Sequence, residues 1–321
     1  MKPAASQIAL LVALLACLGI NAISNRIDPY HLEILINVGI NIVLAVSLNL
    51  INGYTGQFSL GHAGFMAVGA YTASAITLFA GPKILALFPF LGDAGGKAFL
   101  FFVALICSGS VASLAGFLVG APSLRLKGDY LAIVTLGFGE IIRVIFRNIP
   151  ALGGALGLNG IPPYTNFFWT YASAAVTIYV VLCMVHSTYG RGFLAVHDDE
   201  VASEAMGINT TRYKIIAFVI GAFFAGIAGG LFSHVKLSID PKGFDFMRSI
   251  EIVVMVILGG MGNTVGVILA AILLTVLPEF LRFREFQEFR MILYSVLLIV
   301  LMLTRPQGLF NFRNPWKRRA A

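Results

Sequence analysis

The chain has 321 residues, 58% of them hydrophobic and 12% charged, and a mean hydropathy of +0.89. Soluble domains carry about 25% charged residues, so a soluble domain is excluded and an integral membrane protein is expected. The formal charge of +7 does not point to nucleic acid, because Arg305, Arg313, Lys317, Arg318 and Arg319 crowd the C-terminal end, where a basic tail marks the cytoplasmic side of a last span.

No charged side chain occurs in 34–82, 98–124, 148–190, 215–235, 252–278 or 291–304. These runs are continuously apolar rather than alternating. A barrel is therefore rejected, and each span must be a helix that satisfies its own backbone. The expected fold is all-α, a polytopic membrane helical bundle forming a single domain over residues 1–321.

The first span is expected near 8–24. Lys2 followed by IALLVALLACLGI resembles a secretory leader, but Ile20 stands three before a cut after Ala22, where a small residue is needed. The span is expected to stay uncleaved. The second, 32–51, runs into NGYTGQFSLGHAGF (52–65), which holds Gly53, Gly56, Gly61 and Gly64. Glycines in a span fit close helix packing, or irregular backbone that is buried in protein or lines a cavity. Gln57, Ser59 and His62 are too polar for a lipid-facing surface. Residues 53–64 are thus expected as broken backbone facing a path, not as a solvent-exposed turn. Gly56, Gln57, Ser59, Gly61, His62 and Gly64 are the candidate path residues, together with Asn263 of a later break.

Spans at 62–80, 98–120 and 129–147 follow. The last of these carries Glu140, Arg143 and Arg147. Charges inside a span are costly and mark a function or a paired interior site. Glu140 and Arg143 can pair as i, i+3 neighbours, and an intramembrane ion pair fixing this helix against others is expected ahead of a transport site. Arg147, near the end, can snorkel.

After a span at 168–187 comes the longest polar stretch, residues 188–214. Asp198, Asp199 and Glu200 begin a short helical segment, where the helix dipole favours acids. Gly207 suits a left-handed C-terminal cap. Around Glu204, the residues Val201, Ala202, Ala205 and Met206 form an apolar strip. A projecting helix of about two turns is expected over 198–207. His197 beside these acids does not make a metal site, since consecutive helical residues point apart. No metal or cofactor is expected, and Cys17, Cys107 and Cys183 are read as small buried hydrophobes.

Beyond a span at 215–235, residues 249–278 are too long for one straight helix and too short for two, with GGMGNTVG (259–266) at the centre. With a final span at 288–304, a break there gives ten passes, and one pass gives nine. Ten is expected, with both termini and the 188–214 loop on the cytoplasmic face. Gly116–Gly120, Gly226–Gly230 and Gly262–Gly266 are read as small-xxx-small packing contacts.

Four stretches in order, GYTGQFSLGHAGFMAVGAYTAS, GDYLAIVTLGFGEIIRV, GRGFLAVHDDEVASEAMGI and LGGMGNTVG, resemble the permease subunit of high-affinity branched-chain amino-acid ABC importers. The resemblance runs from about residue 34 to 304. It implies a type II importer permease in a bacterial inner membrane. The implied partners are a second homologous permease, two cytoplasmic ABC ATPases, a periplasmic substrate-binding protein and the lipid bilayer, with no nucleic acid. It further implies that 188–214 is a cytoplasmic coupling loop, with its coupling helix at 198–207, and that 305–321 is a cytoplasmic tail. No G-x-x-x-x-G-K-[ST] loop occurs. LGDAGGKA (91–98) has Leu91 in place of the first Gly and Ala98 in place of the Ser or Thr. The chain is thus expected to be a transport subunit and not an enzyme. A permease for urea or short amides, and an ion-coupled secondary transporter, remain as alternatives. The latter would need a free intramembrane carboxylate, and Glu140 has Arg143 beside it.

Overall fold

The computed structural model describes residues 3–23, 28–87, 92–124, 126, 128–280, 295–296, 299–300 and 308–309. The expected last span (288–304) falls almost wholly outside these residues, as does the basic tail (305–321).

In chain order the helices are α1 (Pro3–Ile23), α2 (Pro29–Asn49), α3 (His62–Ala75), α4 (Gly81–Leu87), α5 (Gly92–Ser123), α6 (Asp129–Arg147), α7 (Phe167–Val185), α8 (Thr188–Asp198), α9 (Glu200–Ala205), α10 (Thr210–Lys236), α11 (Phe246–Gly259) and α12 (Thr264–Phe280). Five helical stretches among the described residues are long and apolar enough to cross a membrane: Pro29–Tyr54, His62–Ala86, Gly95–Ser123, Phe167–Val185 and Thr210–Lys236. The fold is a membrane helical bundle, as the apolar runs require.

α10 stands at the centre and packs chiefly along α5 and α3. Lipid is as apolar as the side chains, so helices here associate through close fit rather than hydrophobic exclusion. Glycine supplies that fit. Gly69 of α3 lies on the backbone of Gly226, Gly229 lies on the Met66 carbonyl, and Gly116 of α5 lies on Ala222. A Cβ at any of the three would collide. Gly116–Gly120 and Gly226–Gly230 therefore do what their spacing suggests, at the α5–α10 contact. Gly262–Gly266 does not. Gly262 has φ +77 and sits in the non-helical link between α11 and α12, so it is not on a helix face.

Two further expectations are corrected. The span expected over 62–80 does not stop there: α3 runs on through a wide turn (Ile76–Ala80) into α4, which ends at Leu87. The widened turn accommodates Pro82, whose missing N–H would otherwise break the helical ladder. Of the three cysteines only Cys17 is buried; Cys107 is half-buried and Cys183 is exposed.

One end of the bundle is clasped by a two-residue antiparallel pair, β1 (Leu158–Asn159) with β2 (Ser238–Ile239), in register Leu158↔Ile239. At the same end Lys236 Nζ pairs with Glu33 Oε1 at 2.8 Å. The opposite end carries α8 and α9.

Candidate functional site

α2 is buried on nearly all sides from Val38 onward and continues through one wide turn, Leu50–Tyr54. The chain then reverses. Residues 55–61 form no regular element and run back along α2 before α3 begins at His62. Thr55, Gln57 and Ser59 are buried, so this is no solvent-exposed turn. Gly56, with φ +68, is the exposed point of reversal and lies against His197 of α8. The returning strand is pinned by side chains: Ser59 N donates to Asn52 Oδ1 (3.2 Å), Leu60 N to Thr135 Oγ1 (3.0 Å) and Ala63 N to Ser249 Oγ (3.1 Å). His62 Nε2 meets Ser47 Oγ at 2.9 Å. Gln57 Nε2 donates to the Thr55 carbonyl at 3.1 Å. His62 thus faces α2, while the Gln57 side chain bonds within the re-entrant chain itself.

The second break, Gly260–Asn263, touches the first. Gly262 N donates to Asn49 Oδ1 (2.9 Å), the Tyr54 hydroxyl meets Thr264 Oγ1 (2.8 Å), and Gly53 lies on Gly262 with no room for a Cβ. Asn263 caps α12, its Oδ1 accepting from Gly266 N at 3.2 Å. Sequence separation of some 200 residues hid this contact; each break was visible, their meeting was not.

On the other side of the re-entrant chain lies a narrow cleft between the start of α3, α6 and the start of α11. Leu60, Gly64, Leu136, Glu140, Phe244 and Phe246 line it. Of the expected path residues, Gly64 reaches this cleft. Its depth follows from register. Ser47 is seven residues short of Tyr54, about 10 Å along a helix, and His62 is bonded to it. Gly64 then packs on Gly139, and Tyr71 stacks on Phe146 at 4.3 Å. Glu140 and Arg143 therefore lie between these levels, near the middle of the 26-residue span that α2 begins.

The expected ion pair is formed: Arg143 Nη2 lies 2.6 Å from Glu140 Oε2. It is not sealed, because each side chain keeps 33% exposure. A second charge cluster, with Arg248 half-buried and Glu251 exposed, is not evident from the sequence. Arg248, at the edge of an apolar run, sits on α11 with Nη2 donating to Asn41 Oδ1 (3.0 Å) and Nη1 to Glu251 Oε2 (2.8 Å). Asn41 Nδ2 in turn donates to Thr275 Oγ1 at 2.8 Å, tying α2 to α12. The i, i+3 spacing of Arg248 and Glu251, the same as in the α6 pair, was the available signal.

In the projecting loop, Asp198 ends α8 and does not begin α9, a correction to the expected 198–207 helix. Asp199 is extended between the two helices, and its Oδ1 accepts from Val201 N (2.9 Å) and Ala202 N (3.0 Å). That one cap fixes the start of α9 at Glu200. Gly207 has φ +83, the left-handed stop its identity suggests. Val201, Ala202, Ala205 and Met206 are all exposed, Val201 by 67% and Met206 by 83%. The back of α9 is anchored instead. Glu200 Oε1 lies 2.6 Å from Lys214 Nζ, whose side chain is 1% exposed, and Glu204 Oε1 accepts from Thr210 Oγ1 at 2.7 Å. Lys214 was missed because nothing in the sequence marks a lysine that will be buried. Among the described residues no three His, Cys, Asp or Glu side chains come together as metal ligands.

The family model described as branched-chain amino acid transport system / permease component matches residues 30–302. The chain is 36% identical to the high-affinity branched-chain amino acid transport system permease protein LivM of Salmonella typhimurium, over 86% of this chain and 69% of that protein. It is 26% identical to the probable LivM of Methanocaldococcus jannaschii, over 86% of this chain and 92% of that one. It is also 29% identical to LivH of Salmonella typhimurium, over 44% of each chain. No solved structure matches.

Proposed function

The chain belongs to the branched-chain amino acid transport system permease family, and from that premise we propose that it forms half of a path for leucine, isoleucine or valine, driven by ATPases bound to its cytoplasmic end. A second, homologous permease supplies the other half, a periplasmic protein delivers the substrate, and two cytoplasmic ATPases supply the energy. The membrane is the bacterial inner membrane, crossed ten times, with α11 and α12 as two short passes on either side of Gly260–Asn263. The re-entrant chain 53–64 and Asn263 border the path. Glu200–Gly207, preceded by the Asp199 cap, is the coupling helix.

One observation carries this reading. α9 is bound to the bundle by its acidic side, through Glu200–Lys214 and Glu204–Thr210, and turns its apolar strip outward. A helix of two turns is marginal alone in water, so a strip held rigid and bare suits docking in a groove of another protein. On this reading ATP hydrolysis belongs to that partner. In vesicles holding the whole complex and ATP, leucine uptake should be competed by isoleucine and valine. Competition by urea or acetamide instead would favour the amide alternative.

A further inference from the structure

Resting on that function, we propose that Glu140 and Arg143 of α6 form the intramembrane site for the charged end of the substrate, with Glu140 receiving its ammonium and Arg143 its carboxylate. An amino acid crosses as a zwitterion, and stripping both charges of water in an apolar interior is costly unless opposite charges replace the water. The pair meets that need at about the right depth. Glu140 and Arg143 lie near mid-span, 2.6 Å apart, and each is one-third exposed. Among the described residues neither head group has a polar partner besides the other. Most of the five guanidinium N–H donors and one carboxylate oxygen are therefore left unused. These open donors and the open oxygen belong to side chains that are one-third exposed, so a further charged group can reach them.

The surroundings of the pair are apolar. Beside Glu140 the apolar Leu60, Leu136, Phe244 and Phe246 wall a crevice of only about 10 Å³, so an aliphatic side chain enters it only when α6 and α11 part. Gly64 and Gly139 keep α3 and α6 in close contact there, so the floor of the cleft is narrow. The other carboxylate in it, Asp245, is engaged as the cap of α11, accepting from Arg248 N at 3.1 Å. Before substrate enters, each member of the pair stands in for the substrate group that the other will bind. Substrate entry exchanges one ion pair for two, and the net charge stays zero, so no ion need accompany it. A neutral amide gains nothing from this arrangement.

The test uses the full complex with its binding protein and internal ATP, assayed for leucine uptake. Swapping the two charges cannot discriminate, because it would rescue a structural pair as well. Neutralising both can. A structural pair tolerates Glu140→Gln with Arg143→Gln, since no lone charge is left behind. The proposed site predicts that this double variant assembles and keeps binding-protein-stimulated ATP hydrolysis, yet loses uptake by about ten- to hundred-fold, the loss expected for a charge-assisted contact. As a second measurement, Leu136→Cys should be shielded from a thiol reagent when saturating leucine is being transported. Uptake at the normal rate per ATP in the double variant would overturn the site, as would unchanged labelling of Leu136→Cys. Failure of the unaltered complex to import leucine at all would instead bring down the function on which the proposal rests.

Discussion

Gly53 shows how one missing side chain lets two distant chain reversals meet. A Cβ there would press on Gly262 N and Asn49 Oδ1, which already share a 2.9 Å hydrogen bond. Neither can retreat without losing that bond. Gly53→Ala should therefore destabilise the bundle by about 1–3 kcal/mol, the usual cost of overpacking, seen as a lower unfolding temperature in detergent. An unchanged temperature would mean the breaks are free to separate. Gly61 has a different neighbour, the Thr135 carbonyl of α6. Gly61→Leu should displace α6 and impair transport while membrane insertion persists; transport at the normal rate would reduce 53–64 to a connector. Lys214 supplies a third case. Its ammonium is buried and faces Glu200, so Glu200→Gln leaves a buried charge without its counter-charge, at roughly 3–5 kcal/mol. Lys214→Met combined with Glu200→Gln should recover much of that stability in the same melting assay.

Among the elements, α9 carries the sharpest expectation. Ala205→Asp puts a charge on the exposed strip without touching the anchors Glu200 and Glu204. Gly207→Val strains a left-handed residue by roughly 1–2 kcal/mol, though no atom would obstruct its Cβ. Both variants should insert and pair with the second permease, but ATP hydrolysis should separate from transport or the ATPases should be lost on purification. If Ala205→Asp keeps assembly and coupled transport, α9 is not the docking element. This helix was legible because its determinants are local: an Asx cap, a glycine stop and an apolar strip all lie within ten residues. α6 is legible over 129–147 from its largely apolar run, although no side chain caps its start. Asp198 was misplaced because three consecutive acids offer three possible caps, and only the extended backbone of Asp199 selects one. The Gly53–Gly262 contact, the Arg248–Asn41 bond and the pinning of Leu60 and Ala63 by Thr135 and Ser249 depend on partners far away in sequence. No periodicity or spacing encodes those.

For the whole molecule, the clasp between β1 and β2 and the Lys236–Glu33 pair mark one end, and α8 with α9 marks the other. The hydrogen bond from the Tyr30 hydroxyl to Glu279 places the end of α12 with the first group. In right-side-out vesicles a membrane-impermeant thiol reagent should modify Glu279→Cys and spare Val201→Cys. Asn311→Cys, beyond the described residues, should be spared too if the passes number ten, whereas its labelling from outside would require nine. The central claim is that this bundle moves a branched-chain amino acid only when partner ATPases drive it. The most direct measurement is leucine uptake into vesicles containing the complete complex, with ATP sealed inside and all ion gradients collapsed by ionophores. Uptake that needs hydrolysable ATP and the binding protein is the predicted result. Leucine accumulation by this chain alone, driven by a proton or sodium gradient without ATP, would contradict it.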